Sequence, residues 1–212
     1  MKKYIKNNKL PILMIIFIIL FCILTIIVSF DLSDDVDKNI SRSISGQHGD
    51  PIFESMRYIT KMGSFYFILP ASITIVILFY YIKKPFLSLL YAVMMLSVIP
   101  AYRITKYLLG RHRPEIDLIH ETGYSYPSGH TVGAFTFFMG LYVFYQLLYK
   151  EENNYPFLIV CILFSSLVGL SRMVLGVHFL SDVIGGILLS GILITTFSIA
   201  YRKIRPKFKN NH

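Results

Sequence analysis

His178 and Asp182 stand four residues apart, so on a helix they share one face. That spacing lets the carboxylate accept a hydrogen bond from one ring nitrogen and fix the tautomer, leaving the other nitrogen free to attack an electrophile. A second histidine, His130, is available to protonate a departing alkoxide. One histidine as nucleophile and another as acid suffice to hydrolyse a phosphate ester through a phosphohistidine. Such a pair gives activity that is bell-shaped in pH, because the nucleophile works neutral and the acid works protonated.

Three cations, Lys106, Arg113 and Arg172, come from separate parts of the chain. Bringing them to one point requires an anion, and phosphate suits them: each Arg offers a planar fork and Lys adds a point charge. Pro127-Ser128-Gly129-His130 reads as a loop turning into a helix, with Ser128 as the N-cap and Gly129 allowing close backbone approach. The free amides at that helix start, with the Ser128 hydroxyl, make a cradle for phosphoryl oxygens. An ordinary capped helix would not need His130.

Other chemistry-bearing residues are read more plainly. Arg111 is expected to snorkel to lipid headgroups. The acidic run Asp31, Asp34, Asp35 and Asp37 lacks the Gly and distal Glu of a calcium loop and reads as a solvated outer segment. His112 and His120 show no ligand spacing, so neither a metal nor a cofactor is expected. Cys22 and Cys161 fall within apolar runs and read as small packing residues. The sequon at Asn39 is assigned no role.

The elements that must carry these residues are membrane helices. The chain is 54% hydrophobic and 16% charged with a mean hydropathy of +0.57, away from disordered, disulfide-stapled and ordinary soluble classes. Leu10 to Phe30 has no charge and is long for a signal-peptide core, with no small-residue cleavage site after it; it reads as an uncleaved span. Five further runs follow, roughly 63–82, 86–107, 131–149, 156–174 and 179–201. The expectation is an all-α integral membrane protein of six transmembrane helices in one domain, 1–212, with its motifs within 106–182.

Charge sets the direction. The first end, the links after spans two and four and the last end hold 12 basic and two acidic residues, a net +10. The opposite side holds nine basic and 10 acidic residues, a net −1. The positive-inside rule then predicts both termini in the cytoplasm and the motifs at the outer face of the cell membrane. The overall +9 is thus explained by topology, and nucleic acid is not expected as a partner.

At its motifs the sequence resembles the type 2 phosphatidic acid phosphatase superfamily. Lys-x6-Arg-Pro falls on Lys106 to Arg113-Pro114, Pro-Ser-Gly-His on Pro127 to His130, and Ser-Arg-x5-His-x3-Asp on Ser171-Arg172 to His178 and Asp182. The blocks are complete and in the family's order; the first two spans match only in being hydrophobic. The resemblance implies that Lys106, Arg113, Ser128, Gly129 and Arg172 bind phosphate, that His130 protonates the leaving group, and that His178 is the nucleophile with Asp182 as its partner. It also implies six transmembrane helices, no metal requirement and an active site at the outer leaflet.

The leading expectation is a bacterial membrane lipid phosphatase. Its candidate substrates are undecaprenyl pyrophosphate, phosphatidylglycerophosphate, and phosphatidic acid or diacylglycerol pyrophosphate, with the lipid bilayer as its other partner. A lipid phosphotransferase using the same phosphohistidine is the alternative, and nothing in the sequence separates the two. A lipid-phosphate binding or transport protein is disfavoured by the presence of His130, His178 and Asp182 together. The sequence sets no oligomeric state.

Overall fold

The computed structural model describes residues 9–115, 118, 119, 121–149 and 154–209, the side chains of 205–209 excepted. Lys2, Lys3, Lys6, Asp117, His120, Lys150, Glu151 and Glu152 lie outside the described residues, as do the side chains of Arg205, Lys207 and Lys209. The described residues form helices and turns, in the order α1 (Lys9–Ser29), α2 (Asp34–Ile44), α3 (Pro51–Ile59), a 3-10 turn (Thr60–Gly63), α4 (Phe65–Tyr81), α5 (Pro85–Leu109), α6 (Gly129–Tyr149), α7 (Tyr155–Val174) and α8 (Leu180–Lys209).

Local signals start and stop these elements. Asp50 caps α3 by accepting from the Ile52 amide at 2.9 Å, with Pro51 at the first helical position. Asn154 caps α7 in the same way through the Phe157 amide. Gly110 ends α5 in the left-handed region, φ 66°, with its amide donating to the Lys106 carbonyl.

Five helices, α1, α5, α6, α7 and α8, are each long and apolar enough to cross a membrane. A sixth span takes a different form from the straight run expected over 63–82. The helix itself is the 17-residue α4, about 26 Å at 1.5 Å per residue and so short of a bilayer core of about 30 Å. It passes as a span only together with α3 and the 3-10 turn, which meet it at 44°. α1 has a mean hydropathy of 3.3 over its apolar window yet buries almost none of it, so its Ile and Leu side chains are left to lipid.

α1 runs antiparallel to α8. The Thr196 hydroxyl donates to Met14 Sδ at one end; Phe17 packs on Gly191; and Thr25 meets the Tyr126 hydroxyl, whose ring covers Gly185, at the other. The start of α1, the α4–α5 turn with Lys83 and Lys84, the end of α6, the start of α7 and the far end of α8 therefore share one end of the bundle. A core of Phe79, Tyr91, Met94, Phe137 and Phe144 packs toward that end. Lys106, the start of α6, Arg172 and His178 occupy the other.

The segment after α1 departs from expectation. Rather than a solvated run, it folds into α2, and Asp37 is only 2% exposed. The reason is a long-range partner, Arg111, described below.

Candidate active site

His178 sits in the turn before α8, not on the helix, so its pairing with Asp182 is not the shared helical face that the spacing predicts. The turn forms because Gly176 adopts φ 68°, a conformation that side chains resist. Asp182 then lies in the first turn of α8 and folds back over the helix start. Its Oδ2 accepts from the Phe179 amide at 2.9 Å and from His178 Nδ1 at 3.1 Å. The first of these is one half of a capping box, satisfying an amide the helix cannot. The second fixes the ring so that Nε2 faces the cavity, 3.4 Å from Arg113 Nη1.

Four elements deliver the cations and the second histidine. Lys106, in the last turn of α5, donates to the Tyr124 carbonyl and, at 3.0 Å, to that of Ser125. Arg113 is held by three backbone carbonyls, Gly123, Val177 and Thr122, at 3.0, 2.9 and 3.1 Å. Arg172, in the last turn of α7, is 1% exposed; its Nη1 donates to Thr60 Oγ1 at 2.9 Å and its Nη2 to Glu121 at 2.6 Å. Its Nε finds no hydrogen-bond partner among the described residues, a buried donor left for an anion. His130 lies in the first turn of α6, its backbone and Cβ packed beside Gly63, where a methyl group would overlap Val168 at 2.5 Å.

Lys106, Arg113, Gly129, His130, Arg172 and His178 all line one cavity of about 760 Å³. Ser128 and Asp182 do not line it. Ser128 is fully buried as the α6 cap, accepting from the Thr131 amide and hydroxyl at 3.4 and 2.9 Å, while its own amide donates to the Asp182 carbonyl. Ser128 thus ties the start of α6 to the start of α8. Burial drives the His178 imidazole well below its ordinary 6.5, with Lys106, Arg172, Arg113 and Arg111 adding to the effect, so the ring is held neutral.

Arg111 corrects its expected role. It does not reach for headgroups. Its side chain is 7% exposed, lies 4.4 Å over the Phe179 ring, and donates to Asp182 Oδ1 at 2.9 Å and Asp37 Oδ2 at 2.8 Å. Burial opposes its charge, but Asp182 and Asp37 outweigh that and raise its pKa. Sequence reading also passed over Thr60 and Glu121, and took Asp37 as part of a solvated segment. Glu121 had a signal, standing in the loop between two motifs; Thr60 and Asp37 had none, because their partners are remote in sequence.

A profile of the PAP2 superfamily matches residues 65–206. The chain belongs to that superfamily. Among PAP2 relatives, phosphatidylglycerophosphatase B of Bacillus subtilis is 29% identical over 160 residues, 73% of this chain and 79% of that protein. Phosphatidylglycerophosphatase B of Haemophilus influenzae is 38% identical over 90 residues, 42% of this chain and 37% of its own. A crystal structure of a transmembrane PAP2-type phosphatidylglycerolphosphate phosphatase from Bacillus subtilis superposes with a TM-score of 0.82 at 28% identity, covering 90% of this chain and 96% of that one. Aquifex aeolicus LpxE superposes with a TM-score of 0.57 at 26% identity, over 78% and 96%. The protein is a multi-pass membrane protein with the PAP2 phosphatase fold.

Proposed function

We propose that this protein is a lipid phosphatase that removes a terminal phosphate from a membrane lipid through a phosphohistidine on His178. One observation carries the reading: the cavity is polar at one end and apolar at the other. Lys106, Arg113 and Arg172 surround the His178 end, while Leu69 and Ile73 of α4 with Met95, Leu96 and Ile99 of α5 line the rest. A phosphate and a hydrocarbon chain on one molecule match both halves.

The reading gives each group one role. Nε2 of His178 attacks phosphorus, the N–P bond forms and the P–O bond to the lipid breaks. His130 gives its proton to the departing oxygen, and Asp182 stabilises the imidazolium through Nδ1. Water then attacks phosphorus, His130 takes its proton, and the N–P bond breaks to release phosphate. Lys106, Arg113 and Arg172 hold the phosphoryl oxygens, with the α6 amides beside them. No step is assigned to a metal.

The names of the bacterial relatives favour phosphatidylglycerophosphate, with undecaprenyl pyrophosphate and phosphatidic acid beside it. The basic end of the bundle favours cytoplasmic termini and a site at the outer leaflet of the bacterial plasma membrane. The test is phosphate release by the purified protein in detergent from a panel of these lipids, with and without EDTA, beside His178→Ala. The parent is expected to turn over at least one lipid with EDTA present and His178→Ala none. Turnover by His178→Ala near the parent rate would sink the assignment; activity lost to EDTA and restored by Mg²⁺ would sink its metal-free mechanism.

A further inference from the structure

Three charged groups alternate in sign behind His178. Asp37 lies on α2, Arg111 after α5, Asp182 on α8, and His178 just before it. Arg111 spans three carboxylates with one fork: Nη2 donates to the buried Asp37 at 2.8 Å and to the part-exposed Asp34 at 3.2 Å, and Nη1 to Asp182. Arg111 Nη1 also donates to Ser181 Oγ at 2.6 Å, and the Ser181 hydroxyl and amide in turn donate to the two Asp37 oxygens. Asp37 and Asp182 are 2% and 0% exposed, and the Arg111 side chain is 7%.

The arrangement answers a physical problem. Asp182 has to stay ionised and in one rotamer to hold the proton on His178 Nδ1, yet it is wholly removed from water. A buried carboxylate keeps its charge only beside a cation. Lys106 and Arg113 face the cavity, where an incoming phosphate draws on them. Arg111 does not line that cavity and sits on the other oxygen of Asp182. Arg111 itself is buried and needs an anion of its own, which Asp37 supplies along with a grip on the first turn of α8.

We infer that Asp37 and Arg111 are a positioning pair for the phosphatase reaction, fixing Asp182 and through it the attacking nitrogen of His178. The helix α2 is thereby a working part of the site, though it does not line the cavity that holds His178. This rests on the proposed nucleophilic role of His178.

The test uses Asp37→Asn, which keeps the shape and an oxygen for the Ser181 amide, and Arg111→Lys, which keeps the charge but cannot bridge two carboxylates. Both are purified in detergent and compared with the parent and His178→Ala by kcat, KM and thermal midpoint. Each variant is expected to lose kcat about 10- to 100-fold, the worth of one charge-assisted hydrogen bond, with KM within twofold because the phosphate cations are untouched. The double variant should lose little more than the worse single one, since both act through Asp182. Parent-like kcat in both variants, a loss confined to KM, or fully additive losses would each overturn the inference. An active His178→Ala would instead overturn the nucleophile assignment beneath it, so the two failures are told apart.

Discussion

The segment 106–182 and the segment 31–63 contribute to the same site in opposite ways. The first supplies every group proposed to touch phosphate, each inside a short motif of fixed spacing. The second carries no motif, yet Asp37 holds Arg111, Thr60 holds Arg172, and Gly63 leaves room for the start of α6. Reacting groups advertise themselves by type and spacing. The groups that hold them in place need only be near in space, and nothing local marks them.

If that division is right, substitutions in the two segments should differ in size and in kind. The largest loss belongs to the motif segment: Asp182→Asn should lower kcat by about 10³- to 10⁴-fold, as when the carboxylate partner of a catalytic histidine is neutralised and the wrong tautomer results. Single-turnover labelling of the protein by a radiolabelled lipid phosphate would show the first step slowed, and normal labelling would contradict the role. Thr60→Val should cost about tenfold in kcat/KM, chiefly through KM, because it strands a buried donor of Arg172, a proposed phosphate ligand. A loss of the Asp182→Asn size there would erase the distinction between the segments.

Glu121 sharpens the comparison from inside the motif region. Its carboxylate sits 2.6 Å from Arg172 and 3.9 Å from Arg113, in competition with any phosphate for those cations. Glu121→Gln should therefore tighten inhibition by inorganic phosphate by about two- to fivefold, the scale of a partly exposed ion pair. Weaker inhibition would mean that Glu121 supports Arg172 rather than competing for it.

The smallest expected effect is a position on the pH axis. His178 has its pKa depressed by burial and four cations, so the neutral ring persists as pH falls through 6.5 and protonates only lower. The acid limb of kcat/KM should lie below pH 6.5. An acid limb near 7 would show that the nucleophile does not feel that environment.

Much of the fold was legible because membrane helices are written in long runs. The expected spans at 86–107, 131–149 and 156–174 lie within α5, α6 and α7. The expected second span, 63–82, contains α4; what hydropathy does not show is the 44° bend to α3 and the 3-10 turn just before it. Within the site, Lys106, Arg113, His130, Arg172 and His178 line one cavity. Arg111 was misread for a definable reason. An arginine at a helix end usually reaches headgroups; the buried Asp37, 74 residues earlier, and Asp182, 71 residues later, turn this one inward.

The sequence by itself determined the helices, the end of the bundle that carries the basic excess, and the motif residues proposed to react, because hydrophobic runs and motif spacings are local properties. The tertiary structure alone decided that His178 lies off the helix, that Ser128 turns away from the cavity to cap α6, and that Asp37, Arg111 and Thr60 support the site. Those outcomes depend on contacts up to 144 residues apart in the chain. A buried charge or donor must find whatever partner packing brings within reach, and no spacing in the chain records which one that is.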